Sequence, residues 1–153
     1  MKKFLCLSLC LCLLVGFVTD ISYADDTDDY MESAEGYDCT IIIEDVFVSE
    51  ESNSRLMTVS KQKVYQYSYQ GNLLWKVVLN GTFQYNGVFA TCIGSNCTTT
   101  VYASGWSCSS KSSSETGNAA IADATMVKKV LGVVTETRYV HLTLTCDPNG
   151  NVS

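Results

Sequence analysis

One proline and one histidine, Pro148 and His141, are all that the 153 residues contain of those two types. The scarcity of proline excludes a polyproline recognition segment and leaves most of the chain free to enter a hydrogen-bonded sheet. A single histidine rules against zinc sites that need several, and leaves His141 as the one conventional base near neutral pH. Basic residues are missing from Asp25 to Glu51, where 11 acidic residues stand. From Ser52 to Ser153 there are 8 basic and 4 acidic residues. Neither half carries a cationic stripe with a recognition motif, so nucleic acid is excluded as a partner. Glycine-rich phosphate loops, helix-borne metal pairs and internal repeats are absent too, and no metal or cofactor is expected.

Long apolar runs are missing beyond the N-terminus. Met1 to Lys3 is cationic, Phe4 to Val18 is an uncharged apolar run of 15 residues, and Ser22-Tyr23-Ala24 follows it. That is the pattern of a secretory signal peptide over 1–24, with cleavage after Ala24. The run falls short of the ~20 residues a spanning helix needs. Cys6, Cys10 and Cys12 each follow a leucine, not the small residue that precedes a lipid-bearing cysteine. The product is therefore expected to be secreted, extracellular and without a membrane anchor. Residues 25–36 are acidic and too poor in apolar side chains to order themselves, which predicts a flexible leader. Residues 37–153 are expected to make one domain.

Within that domain the most regular stretch is Leu73 to Tyr85. Every second residue (Leu73, Trp75, Val77, Leu79, Gly81, Phe83, Tyr85) is apolar or glycine, the period of a strand with one buried face. Asn86-Gly87 then predicts a tight hairpin turn, with a return strand from Val88. Upstream, Cys39 to Val48 is β-branched, and Lys61 to Gln70 sets Tyr65, Tyr67 and Tyr69 on one face. A three-residue loop, Gln70 to Asn72, would place those tyrosines opposite Leu73, Trp75 and Val77. Downstream, Ser107 to Ser114 reads as an edge strand, with turns at Gly117-Asn118 and Leu131-Gly132. The last strand sets Val140, Leu142, Leu144 and Cys146 on its core side, with Tyr139, His141 and Thr143 opposite. Seven or more short strands without a long helix predict an all-β antiparallel sandwich, immunoglobulin-like in general architecture. An open β-barrel is the alternative.

Five cysteines follow the signal peptide: Cys39, Cys92, Cys97, Cys108 and Cys146. An oxidising exterior favours disulfides, and the odd number leaves one thiol over. Cys92 and Cys97 flank Ile-Gly-Ser-Asn, which suggests a bridge closing a turn, and Cys108 with Cys146 is taken as the second pairing out of the three cysteines left. Catalysis would have to use His141, or Asp123 with Glu136 as a carboxylate pair for glycoside hydrolysis. No nucleophile motif accompanies either, and both fit solvent-facing strand positions. The aromatics carry more. Trp106, between Gly105 and the serine run, is the expected exposed ring, with Tyr102, Tyr139 and His141 as further ligand-binding candidates.

Three segments, LLWKVVLNGTFQYNG, GWSCSSKSSSETGNAAIADAT and VHLTLTCDPNGNVS, together resemble small exported proteins of Gram-positive, Clostridia-type bacteria, a family known only as a domain of unknown function. The resemblance runs from about Lys63 to the C-terminus. It implies a bacterial secreted protein and supplies no active-site residues. The expected function is non-enzymatic binding, of a cell-envelope polymer, a glycan or an extracellular protein. A carbohydrate-binding module and a small secreted hydrolase are the alternatives.

Overall fold

The computed structural model describes residues 36–45 and 56–153. The expected signal peptide over 1–24, the leader to residue 35 and the end of the first strand at 46–48 lie outside the described residues. The described residues form seven antiparallel strands: β1 Tyr37–Asp45, β2 Met57–Tyr69, β3 Asn72–Tyr85, β4 Ala90–Val101, β5 Trp106–Thr116, β6 Ala119–Val130 and β7 Val133–Thr145. Strands β1 to β4 form one sheet in sequence order, and β5 to β7 form a second. The sandwich read from alternation is what the chain forms, as two separate sheets.

β3 sits between β2 and β4, which explains why its alternation is so regular. Trp75, Val77, Leu79 and Phe83 are completely buried on its inner face. Facing them, β6 and β7 contribute Ala120, Ala122, Ala124, Met126, Val140, Leu142 and Leu144. Gly81 is the close-packing position of β3. A Cβ there would lie 2.8 Å from the Phe83 ring and 3.1 Å from Ala120 Cβ. Burying this set is the main favourable term in folding.

The tyrosine register holds for Tyr65 and Tyr67 by another route, while Tyr69 pairs with Asn72 and not with Leu73. Tyr67 pairs with Trp75 and Tyr65 with Val77, as expected. The turn, however, has two residues rather than three. Gln70 and Gly71 both have positive φ, 49° and 76°, the backbone of a twist-matched hairpin turn. Leu74 is then bulged out of the pairing, so that Ser68 faces Leu73 while Tyr67 faces Trp75. The Leu74 carbonyl accepts from the backbone N–H of both Tyr102 and Ala103. One carbonyl of β3 thus anchors the loop that leads to the other sheet.

The turn at Asn86-Gly87 is wider than expected, because β4 begins at Ala90 and not at Val88. The Asn86 side chain accepts from the N–H of Val88 and of Phe89, each at 3.0 Å, and so holds a four-residue connection. Gly117-Asn118 and Leu131-Gly132 are two-residue turns, as read. The Asp147 turn is closed by its own carboxylate. It accepts from the N–H of Asn149 and Asn151 and from Asn151 Nδ2, all at 2.8 Å. These bonds, the Asn151 side chain first, hold the carboxyl below its ordinary range.

The sheets differ in width. β2 packs over β7, whereas β1 packs on β2 alone among the described strands. Ile41 is 57% exposed and Ile43 is exposed as well. Gln62 donates to Glu44, and Lys61 pairs with Asp45, tying β1 to β2 at that end.

Candidate functional site

Trp106 is not at the surface. It is 7% exposed and packs 5.7 Å from the Trp75 ring and 5.7 Å, edge-on, from Tyr67. Its flanking Gly105 and Ser107 suggested exposure, but it opens β5 on the core-facing side, where the aromatics of the other sheet receive it. The stack continues through Tyr67 on Trp75 at 4.8 Å and Tyr65 on Trp75 at 5.7 Å. Trp106 therefore cannot offer a flat ring to a sugar without unfolding. The Trp75 indole N–H is buried without an acceptor among the described residues, a cost of about 1–3 kcal/mol that the stacking must outweigh.

At the rim of this stack Tyr67 donates to Glu136 Oε1 at 3.0 Å, and Arg138 Nε donates to the same oxygen at 2.8 Å. The Arg138 guanidinium lies 5.3 Å from the Tyr67 ring centre. Burial, and then the bond to Glu136, push the Tyr67 hydroxyl well above its ordinary pKa. Glu136 is thus committed to an inward-facing cluster.

The remaining candidates gather on the outer face of the three-stranded sheet. Strand pairing aligns Ser112, Asp123 and His141 in one row across β5, β6 and β7. Ser110, Thr125 and Tyr139 form the row on one side, and Ser114, Ile121 and Thr143 the row on the other. Tyr139 is 73% exposed. His141 Nδ1 lies 2.7 Å from Asp123 Oδ1, and its Nε2 lies 3.3 Å from Thr143 Oγ1. The carboxylate orients the ring and sets which nitrogen faces Thr143. Tyr102 is exposed too, but it sits in the loop between β4 and β5 and not in these rows.

Asp123 and Glu136 do not pair. Asp123 faces outward opposite His141, while Glu136 faces inward opposite Lys128, five residues further along the strands. At ~3.3 Å per residue that separation exceeds the carboxylate spacing of either glycosidase mechanism. The Asp123–His141–Thr143 series has the order of a carboxylate, an imidazole and a hydroxyl. Its His and Asp side chains are 64% and 62% exposed, on a strand face. A buried carboxylate and preorganised oxyanion donors, which give such a series its power, are not part of this arrangement. Among the described residues no three His, Cys, Asp or Glu side chains converge as a metal site would require.

Both expected disulfides are overturned. Residues 90–101 form one strand with a bulge at Ile93, not a turn, so Cys92 faces Phe83 and Cys97 faces Leu79. Five residues of strand span ~16 Å, far beyond the reach of a disulfide. Cys108 lies beside Met126, and Met126 pairs with Arg138, eight residues before Cys146 on β7. All five thiols are free, with Cys92, Cys97 and Cys146 buried. Cys39 is exposed on β1 and accepts from the Tyr65 hydroxyl at 2.9 Å. Burial pushes up the thiols of Cys92, Cys97 and Cys146.

Neither the family models nor the curated proteins nor the solved structures with which the chain was compared include a match.

Proposed function

We propose that the chain is an exported bacterial binding module, without catalytic activity, which engages a polar extracellular polymer through the outer face of β5, β6 and β7. The observation that supports this reading is the set of aligned rows on that face. Ser110, Ser112 and Ser114 on β5, Asp123 and Thr125 on β6, and Tyr139, His141 and Thr143 on β7 all point the same way. Such a face offers hydroxyl donors and acceptors, one carboxylate, one imidazole and one exposed ring. That is the chemistry used to hold a sugar or another hydroxyl-rich polymer, with the Tyr139 ring for stacking. Its apolar content is low, which suits a partner that stays hydrated. The signal-like N-terminus and the resemblance to exported Clostridia-type proteins support an extracellular partner at the cell envelope.

Binding to purified cell-wall polymers and to a glycan array is the test, with the Tyr139→Ala and His141→Ala variants alongside. Each substitution is expected to weaken binding at least fivefold while leaving thermal unfolding unchanged. Binding by the wild type that both variants retain would remove this face from the site. Labelling of Thr143 by an active-site-directed phosphonate would instead establish the hydrolase.

A further inference from the structure

Two of the free cysteines, one from each sheet, are tied by their backbones to the same turn. The two-residue turn between β5 and β6 is held from both sheets. The N–H of Cys92, on β4, donates to the Gly117 carbonyl at 2.8 Å, and the N–H of Cys146, just after β7, donates to the Asn118 carbonyl at 3.0 Å. Asn118 Nδ2 donates in turn to the Cys146 carbonyl at 2.7 Å. Adjacent residues of one turn therefore fix the backbones of both cysteines. Both side chains face the core, and both are buried. Their thiols now donate to local carbonyls, Cys92 to Gly94 at 3.5 Å and Cys146 to Asp147 at 3.4 Å. A bond between the two sulfurs requires each thiol to leave its carbonyl by rotation about its Cα–Cβ bond.

We propose that Cys92 and Cys146 are the sites of an inter-sheet disulfide that clasps the two sheets at the Gly117-Asn118 turn. Export supplies the setting, so formation in the living cell rests on the proposed function, while the pairing rests on the geometry of the turn alone. The oxidant is a disulfide-bearing thiol compound or a thiol–disulfide oxidoreductase. The thiolate of one cysteine attacks a sulfur of that disulfide, forms a mixed disulfide and expels one thiolate. The thiolate of the other then attacks the mixed bond and expels the second. Two S–H bonds are lost and one S–S bond is gained. Two electrons pass to the oxidant, whose S–S bond is broken and whose two thiolates take up the two protons. Burial, which pushes both thiols up, makes the exchange slow at neutral pH and faster as pH rises.

The test uses the purified reduced chain and a variant in which Cys39, Cys97 and Cys108 are serine, each incubated with oxidised glutathione. The variant is expected to remain monomeric and to lose about 2 Da. Its melting temperature is expected to rise by about 10 °C, reversibly on reduction. Glutathione adducts without the internal bond, or covalent dimers, would overturn the pairing. Should the variant fail to fold, fragmentation of the oxidised wild-type chain decides the matter, since Cys146 joined to Cys108, or left free for alkylation, sinks the proposal. A bond that forms in purified protein but is absent from protein harvested from the growth medium would count against the extracellular setting and leave the pairing standing.

Discussion

The central strands of the two sheets solve the same packing problem in opposite ways. β3 brings large side chains to the interface, with Trp75, Leu79 and Phe83 fully buried. β6 brings small ones over most of its inner face, with Ala120, Ala122 and Ala124 in register before the larger Met126. Gly81 is the exception that joins them, because the Phe83 ring folds over it toward Ala120. One strand thus fills the space and the other yields it. Density is shared unequally, so the cost of a substitution should depend on which strand carries it.

The largest effect is expected from removing bulk on β3. Trp75→Ala should cost about 3–5 kcal/mol, read as a lower urea midpoint, and a loss under about 1 kcal/mol would mean the aromatic stack adds little beyond its area. Adding bulk on β6 comes next. Ala122→Leu should cost about 1–3 kcal/mol through overpacking, and a neutral result would show a space between the sheets that the buried surfaces do not suggest. Gly81→Ala should cost about 1 kcal/mol, and pairing it with Phe83→Leu should cost less than the two single changes summed, since the new methyl meets that ring. Smallest of all, Tyr139→Ala on the outer face should shift stability by less than about 0.5 kcal/mol. A larger shift would make Tyr139 part of the scaffold, not a free surface ring.

The strands whose faces differ sharply in polarity were legible from residue order. β3 and the second half of β7 needed only alternation. What alternation could not supply was the bulges. The Leu131-Gly132 turn, extended without interruption, pairs Asp123 with Val140 and puts the carboxylate beside a core residue. A bulge at Thr135 shifts the register by one and sets Asp123 opposite His141. The bulge at Leu74 likewise allowed a two-residue turn where cross-strand matching had demanded three. Trp106 and the cysteines were misread for a different reason. Gly-Ser-Asn between Cys92 and Cys97 has turn composition but lies within a strand paired to β3, and the small neighbours of Trp106 conceal a partner contributed by the other sheet. Local composition loses to tertiary packing at such positions.

The overhang of β1 has a colloidal consequence. Among the described strands it pairs with β2 alone, along a sequence with three consecutive isoleucines. Open apolar edges of this kind template the addition of another strand. Here Asp38 and Glu44 lie on the same strand, so two copies meeting edge to edge also bring like charges together. That repulsion acts over about 10 Å at 0.1 M salt and shortens as salt is added. Ionic strength, more than concentration alone, should therefore govern whether the protein stays monodisperse.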